Sequence, residues 1–221
     1  MRLIVGIANV VGKILGITWI MRNPEIVSED RGAVIISNHQ SILDTMHLCQ
    51  LWFISRKMAI TPKKALLYMW SFGFFIYMTD AIFLDRRNPT VANQLLLNKS
   101  KHLLQNKVKI LIFPEGTRND NPTKFLPFKK GAFNLAVQTQ VPIIPIVISR
   151  FYFLDHRRRM FSNGNVIAQC LEPISTEGLT LDDVPDLINR IKSAMEKVYK
   201  ELSNEVTKDL PPDYPLAINE S

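Results

Sequence analysis

The sequence has 221 residues, of which 47% are hydrophobic, and it carries a formal net charge of +7. This length accommodates one sizeable domain, and the basic excess favours an anionic partner, which could be nucleic acid, an anionic membrane face or a phosphorylated substrate. Cys49 and Cys170 are the only cysteines and lie in apolar runs, which excludes a disulfide framework and indicates two buried free thiols in a reducing environment.

The N-terminal segment of residues 3–21 is apolar but interrupted by Asn9 and Lys13. Its polar and small residues recur at helical spacing, which favours a helix in a membrane interface or against a partner helix over a cleaved signal. Lys13 argues against a centred span, because one lysine there costs about 2.5–3.5 kcal/mol, although the apolar remainder could offset this. We predict a membrane-associated helix over residues 1–22, with an ordinary amphipathic core helix as the alternative.

Downstream, apolar β-branched runs alternate with segments of helical periodicity. The predicted strands are 33–37, 81–84, 108–113, 141–149 and 166–171, and the predicted helices are 42–53, 91–106, 129–140 and 184–202. Residues 65–84 are long enough to span a bilayer, but a buried helix followed by a strand explains them equally well, and we favour it. This alternation predicts one α/β domain over residues 23–208, a sandwich of a mostly parallel sheet flanked by helices, and a disordered tail over 209–221.

His39 and Asp44 follow the first of these strands. On one regular helix they would lie about 140° apart and could not touch, so His39 must precede the helix with Asp44 one turn inside it. A sharp turn there can bring the carboxylate back onto the imidazole, and a histidine held in one tautomer by a carboxylate is a general base. Spacing alone leaves a capping histidine beside an unrelated aspartate about equally plausible.

Ser41 invites comparison with a Ser-His-Asp triad. However, the sequence has no Gly-x-Ser-x-Gly elbow, and Ser41 could as easily cap the following helix. The remaining histidines have no metal-ligand spacing with cysteines or acidic residues. We therefore predict neither a covalent serine mechanism nor a metal site.

Cationic side chains follow two strands at the same end. Arg86 comes directly after residues 83–85, and Arg118 closes a turn that contains Glu115 and Gly116. Arginines at strand ends can grip a phosphate, and the lysines of residues 129–131 stand at a helix start, where backbone N–H groups also favour anions. Solvated strand ends and an internal ion pair are alternatives for each cluster taken alone. A phosphate-bearing substrate presented to a base explains all of them together, and nucleic acid does not fit because no basic run is interleaved with exposed aromatics.

Four segments in order resemble the four motifs of the glycerolipid acyltransferases, most closely the animal 1-acylglycerol-3-phosphate (lysophosphatidic acid) acyltransferases. They are Asn-His-Gln-Ser-Ile-Leu-Asp at 38–44, Phe-Leu-Asp-Arg at 83–86, Phe-Pro-Glu-Gly-Thr-Arg at 113–118 and Val-Pro-Ile-Ile-Pro at 141–145. His-x4-Asp alone is a weak signal, whereas four motifs in the same order are a strong one. The resemblance extends over about residues 31–200.

The resemblance implies a role for each matching residue. His39 would deprotonate the glycerol 2-hydroxyl while Asp44 orients it, and the oxygen would attack an acyl-CoA thioester directly, without an acyl-enzyme. The residues implied to bind the acceptor phosphate are Arg86, Arg118 and Lys63, and those implied to shape the acceptor site are Glu115 and Gly116.

The resemblance also implies the setting. Lysophosphatidic acid and acyl-CoA would give phosphatidic acid for phospholipid and triacylglycerol synthesis, at the endoplasmic reticulum membrane with the site facing the cytosol. Acyl-CoA would be a co-substrate and membrane lipid a partner, with no cofactor, no metal and no nucleic acid. The alternatives are another acceptor, such as glycerol 3-phosphate or another lysophospholipid, and a non-catalytic membrane lipid-binding protein.

Overall fold

The structure, a computed structural model, describes residues 6, 10–62, 81–84, 88–119, 123–155, 158–211 and 214. The strands are β1 (Ile17–Arg22), β2 (Ala33–Ser37), β3 (Met58–Ile60), β4 (Lys109–Ile112), β5 (Ile143–Ile148), β6 (Leu154–Asp155), β7 (Met160–Phe161) and β8 (Gly164–Cys170). The helices are α1 (Glu25–Ser28), α2 (Asp44–Ser55), α3 (Pro89–Gln105), α4 (Gly131–Thr139) and α5 (Val184–Thr207).

Six strands form one sheet in the order β1-β8-β5-β2-β4-β3, and the short β6 and β7 form an antiparallel pair. Among the strand pairs of the large sheet that lie in the described residues, β5–β8 alone is antiparallel, which confirms the predicted mostly parallel sheet. Ile36 pairs with Ile112 of β4, and Ser37 pairs with Ile146 of β5. The carboxyl ends of β2, β4 and β5 therefore meet at one edge of the sheet.

The central strands are apolar on both faces because helices cover both sides. Val34 and Ile36 of β2 belong to the core under α4 and α5, whereas Ala33 and Ile35 pack on the other face with Leu51 of α2. All five residues of β2 are buried, as expected of a central parallel strand. The sheet is thus the middle layer of the predicted sandwich.

Helix α5 packs along the sheet with one apolar stripe. Its buried residues recur every three or four positions and are Val184, Leu187, Ile191, Met195, Tyr199 and Leu202. Near the carboxyl end of β5 the stripe continues into polar contacts, where Ser203 Oγ accepts a hydrogen bond of 3.0 Å from the Arg150 N–H. The helix therefore supports the same sheet edge at which the sequence predicts the site.

The prediction of one helix over residues 1–22 is wrong at its C-terminal end. Residues 10–14 are helical, but the chain turns at Gly16, where φ is +68°, and Ile17–Arg22 forms β1 parallel to β8. The residues of β1 form a strand because β8 offers them backbone hydrogen bonds, and the apolar pattern of the segment alone does not show this pairing. No helix among the described residues is long and apolar enough to cross a membrane. Most of the apolar stretch 65–84, namely residues 65–80, lies outside the described residues.

The predicted disorder of residues 209–221 is wrong at Tyr214. Its ring packs edge-on against Tyr152 at 5.6 Å between centroids, and its hydroxyl donates a hydrogen bond of 3.0 Å to the Asn163 carbonyl. Residues 212–213 and 215–221 lie outside the described part of the chain. Cys49 and Cys170 are free thiols, as predicted, but only Cys170 is buried, whereas Cys49 is partly exposed.

Candidate active site

The segment that follows β2, residues 38–43, is here called the His39 loop, and β5 holds it in place. The Asn38 side chain donates a hydrogen bond of 2.9 Å to the Ile148 carbonyl and accepts one of 2.8 Å from the N–H of the same residue. Gln40 Nε2 donates to the Ser149 carbonyl at 3.0 Å, and its Oε1 accepts from the Phe151 N–H at 3.3 Å. Two amide side chains thus fasten the loop to the carboxyl end of the neighbouring strand.

His39 and Asp44 contact each other, which is one of the two alternatives that their spacing left open. His39 Nδ1 lies 2.6 Å from Asp44 Oδ2, and the same oxygen accepts hydrogen bonds from the N–H groups of Gln40 at 2.8 Å and Ser41 at 3.1 Å. A carboxylate oxygen can only accept, so His39 Nδ1 carries the proton and Nε2 is left as the basic nitrogen. Asp44 is buried, with 1% of its surface exposed.

The imidazole of His39 is covered on one face by an aromatic ring and is partly exposed to solvent. Its ring stacks on Phe113 with centroids 4.1 Å apart and an interplanar angle of 15°. The side chain remains 23% exposed, in contrast to the 1% of Asp44. The ring is therefore held in orientation but accessible to a substrate hydroxyl.

Ser41 occupies a structural position rather than a nucleophilic one. It is 1% exposed, and its Oγ accepts a hydrogen bond of 3.3 Å from the Leu43 N–H at the turn into α2. This bond lies within the turn before α2, whose N-cap is Leu43 without a side-chain cap hydrogen bond, so Ser41 is not the helix cap considered from the sequence.

Glu115 holds His39 through the backbone. Its Oε1 accepts a hydrogen bond of 3.0 Å from the His39 N–H, and its Oε2 accepts one of 2.9 Å from the Leu126 N–H. Burial raises the pKa of Glu115, and these backbone donors together with the Asn119 side chain oppose that rise. Both oxygens are thus engaged by the protein itself, so the residue predicted to shape the acceptor site acts here on the position of His39.

Gly116 lies under Lys129. Its φ is +73°, a conformation that favours glycine, and a Cβ placed on it would lie 2.7 Å from Lys129 Nζ. The Lys129 N–H also donates a hydrogen bond of 2.8 Å to the Pro114 carbonyl. From the sequence, Lys129 belonged to the cationic clusters that a phosphate-bearing substrate explains, but no individual role was predicted for this lysine.

Arg118 is the predicted phosphate-binding residue that the structure describes. It immediately precedes Asn119, whose N–H donates a hydrogen bond of 2.8 Å to the His39 carbonyl. Its side chain is exposed, like that of Lys129, and neither makes an ion pair within the described residues. Arg86 and Lys63, the other two predicted residues, lie outside the described residues.

This arrangement places the His39 imidazole and the side chains of Arg118 and Lys129 at the same end of the sheet. Residues 113–119, here called the Glu115 turn, contact the His39 loop at Glu115, Phe113 and Asn119. The basic nitrogen of His39 and the charges of Arg118 and Lys129 consequently belong to the same sheet edge. Such a site can take a proton from a substrate that also carries an anionic group.

Known acyltransferases are similar to this chain in sequence. The family model of the acyltransferases matches residues 19–149. The 1-acyl-sn-glycerol-3-phosphate acyltransferase beta of Homo sapiens is 39% identical over 189 residues, which cover 85% of this chain and 67% of that protein. The alpha protein of Homo sapiens is 40% identical over 173 residues, which cover 78% of this chain and 60% of that protein.

The fold has a solved counterpart in the 1-acyl-sn-glycerophosphate (LPA) acyltransferase PlsC from Thermotoga maritima. The two structures superpose with a TM-score of 0.73 at 26% sequence identity, over 91% of this chain and 78% of that chain. The matched residues 19–149 contain most of β1, the His39 loop and the Glu115 turn. Since the family model spans more than half of its length and the relatives share about two fifths of the aligned residues, this chain belongs to the acyltransferase family.

Proposed function

We propose that this protein transfers a fatty acyl group from acyl-CoA to the 2-hydroxyl of 1-acylglycerol-3-phosphate, which yields phosphatidic acid. The observation that carries the proposal is the His39–Asp44 pair, with Nδ1 and Oδ2 2.6 Å apart and the imidazole still partly exposed. The names of the matching relatives support the choice of acceptor. The chain spans only 60–67% of those relatives' length, so the activity of the whole proteins enters here as a proposal.

The chemistry follows from the tautomer. Nε2 of His39 accepts the proton of the acceptor hydroxyl as its oxygen attacks the thioester carbonyl carbon. A C–O bond forms, the C–S bond breaks, and the departing thiolate takes the proton back from Nε2. Asp44 stabilises the imidazolium that exists between these proton transfers, and general base catalysis of this kind contributes roughly 10²–10⁴-fold.

A direct attack fits the position of Ser41. An acyl-enzyme would require an accessible nucleophile beside His39, whereas Ser41 is buried and its Oγ accepts a hydrogen bond from the Leu43 N–H. The acceptor oxygen is then the nucleophile. Arg118 and Lys129 would hold the acceptor phosphate, and the family resemblance adds Arg86 and Lys63 to this group.

The acceptor is an amphiphile, so we place the protein at a membrane surface, specifically the cytosolic face of the endoplasmic reticulum. Supporting this, Val10, Val11 and Ile14 are exposed next to the exposed Lys13, and Ile42 of the His39 loop is 59% exposed. Replacing Val10, Val11 and Ile14 with serine should reduce co-sedimentation with anionic vesicles. A Leu181→Ser control, at an exposed leucine before α5, should sediment like the unmodified chain, and equal sedimentation of all three proteins would count against this surface.

The function is tested by product analysis with the full chain in mixed micelles. Two labelled acyl donors, acyl-CoA and the acyl thioester of acyl carrier protein, are tested in separate reactions. The acceptor in each reaction is lysophosphatidic acid, glycerol 3-phosphate or lysophosphatidylcholine. We expect labelled phosphatidic acid from acyl-CoA and lysophosphatidic acid, formed roughly 10²–10⁴-fold more slowly by a folded His39→Ala variant. Faster use of a different acceptor or donor would refute the stated specificity, and a near-wild-type rate of product formation by His39→Ala would refute the base.

A further inference from the structure

Three buried polar groups between α2 and β1 have no assigned task. Asp44 Oδ1, both ring nitrogens of His47 and Trp19 Nε1 have no hydrogen-bond partner among the described residues. His47 is fully buried, and burial lowers its pKa to about 3, so its ring is neutral at ordinary pH. Buried polar groups are seldom left without partners, and an ordered water is the usual partner when no protein group is in reach.

The fold brings these groups together. His47 follows Asp44 by three residues in α2, a spacing that sets the two Cβ atoms about 5–6 Å apart on one face. Side chains on a helix lean towards its N-terminus, so the imidazole is directed back towards the aspartate. The His47 ring stacks on Trp19 of β1, with centroids 5.7 Å apart and an interplanar angle of 14°.

The donors and acceptors of the cluster match those of water. A neutral imidazole has one N–H donor and one acceptor nitrogen, the Trp19 indole has one donor, and Asp44 Oδ1 is an acceptor only. Asp44 Oδ1 and the His47 ring do not hydrogen-bond to each other directly. A single water between them can donate to Oδ1 and accept from the His47 N–H. The site is buried and polar, as such waters require.

We propose that a buried water binds between Asp44 Oδ1 and the His47 imidazole, and that His47 is thereby a positioning residue for the aspartate that orients His39. This inference rests on the proposed acyl transfer. The Oδ2 atom of Asp44 is held by three donors, all from the His39 loop: His39 Nδ1 and the N–H groups of Gln40 and Ser41. The water would hold the other oxygen, so that the carboxylate keeps one rotation and His39 keeps one tautomer.

The other ionisable groups near His39 and Asp44 are not changed when His47 is substituted. Glu115 contacts His39 from the turn after β4, and Tyr199 of α5 and Arg150 after β5 belong to the same electrostatic neighbourhood. None of them is altered when His47 is replaced. A change at His39 on substitution of His47 can be transmitted through Asp44 or through the packing of Trp19 on Phe151, whose N–H donates a hydrogen bond to Gln40.

Two substitutions separate positioning from packing. His47→Phe keeps an aromatic ring for the stack on Trp19 but has no hydrogen-bonding atom, whereas His47→Asn loses the ring and keeps one donor and one acceptor. We expect His47→Phe to lower kcat about tenfold with little change in KM, and His47→Asn to restore most of the loss. His102→Phe, at an exposed histidine of α3, serves as the matched control. Unchanged kcat in His47→Phe, or a lower kcat in His47→Asn than in His47→Phe, would overturn the proposal.

Two readouts do not depend on turnover. The proton resonance of the His39 Nδ1–H group, assigned with His39→Ala, should move or broaden in His47→Phe and return in His47→Asn. A crystal structure at high resolution should show water density between Asp44 Oδ1 and the His47 ring. If the wild-type chain transferred no acyl group, the proposed function would fail while these measurements still decided the water site. An unchanged His39 resonance in His47→Phe, or a crystal structure without water density at Asp44 Oδ1, would overturn the proposed water site even if the enzyme is active.

Discussion

The His39 loop and the cations beside it lie at the same sheet edge, but the protein holds them differently. Asn38 and Gln40 are fastened to the end of β5, and Asp44 is buried with three donors on one oxygen. Arg118 and Lys129 instead project from the Glu115 turn and the start of α4 as exposed side chains, with no ion pair in the described part of the chain.

The difference reflects what each group must do. A base transfers a proton only within hydrogen-bond reach, so an error of about 1 Å in its position costs rate. A charged side chain attracts a phosphate over a longer distance and can adjust its rotamer to it. Substitutions in the His39 loop should therefore change kcat, and substitutions of the cations should change KM.

The largest effect should follow loss of the base. His39→Ala should lower kcat roughly 10²–10⁴-fold, because Nε2 is the proton acceptor in the proposed reaction. Steady-state kinetics should be accompanied by thermal unfolding, with His102→Ala on the exposed side of α3 as the control. A folded His39→Ala protein with near-wild-type kcat would remove the distinction between the two regions.

The next largest effect should come from Glu115→Gln. The amide has one acceptor oxygen where the carboxylate has two, so the NH₂ group would face the N–H of either His39 or Leu126. Hydrogen bonds to a charged group contribute about 1.5–3 kcal/mol, which predicts a fall in kcat of roughly 10–100-fold.

The KM for lysophosphatidic acid distinguishes the two possible roles of Glu115. If the residue positions His39, that KM should stay near its wild-type value, and Glu177→Gln at an exposed site should change neither parameter. A higher KM with unchanged kcat would instead place Glu115 in contact with the acceptor, as the family resemblance implied.

Arg118→Ala should act on the acceptor rather than on the chemistry. Loss of one charged hydrogen bond to phosphate predicts about a tenfold or larger rise in KM for lysophosphatidic acid, with little change in kcat or in KM for acyl-CoA. Arg158→Ala, at an exposed arginine that pairs with Asp155, is the control. If KM for acyl-CoA rose instead, Arg118 would belong to the donor site.

The apolar pattern was sufficient to predict the central strand β2, and the spacing of His39 and Asp44 made their contact one of two alternatives. The run Ala33–Ser37 is β-branched and apolar, and β2 has those same bounds in the structure. The contact of His39 with Asp44 could be predicted because only a turn before the helix makes their five-residue spacing compatible with contact. Both features depend on local geometry, so the residue pattern of a single segment is enough to indicate them.

Features that depend on pairing between distant segments were not predictable in this way. The strand β1 lies in an apolar segment of helical spacing, and its structure depends on β8, well over a hundred residues away. The hydrogen bond between Glu115 and the His39 N–H joins residues that become neighbours only because β2 and β4 are adjacent. Likewise, nothing near His47 in the sequence shows that Trp19 covers its ring.

The smallest effect should be on stability, and it arises because the region that fixes the base contains a buried histidine. Burial lowers the pKa of His47 from its usual 6.5 to about 3, so between these values the unfolded chain binds a proton that the native chain does not. The free energy of unfolding contributed by His47 therefore rises with pH in this window and is lost as pH falls below about 6.5. The limiting slope for one proton is about 1.4 kcal/mol per pH unit.

His47→Phe should remove this slope because phenylalanine does not titrate. Urea unfolding of both proteins at about pH 5.5 and about pH 4.5 should show wild type losing about 1.4 kcal/mol more than the variant. The raised pKa of Glu115 contributes with the opposite sign, but it is present in both proteins and cancels in the difference. Arg118→Ala should give the wild-type slope, because its guanidinium is charged in both states over this range. Parallel curves for wild type and His47→Phe would show that His47 takes up its proton without unfolding, and that the region around Asp44 is more open to solvent than its burial indicates.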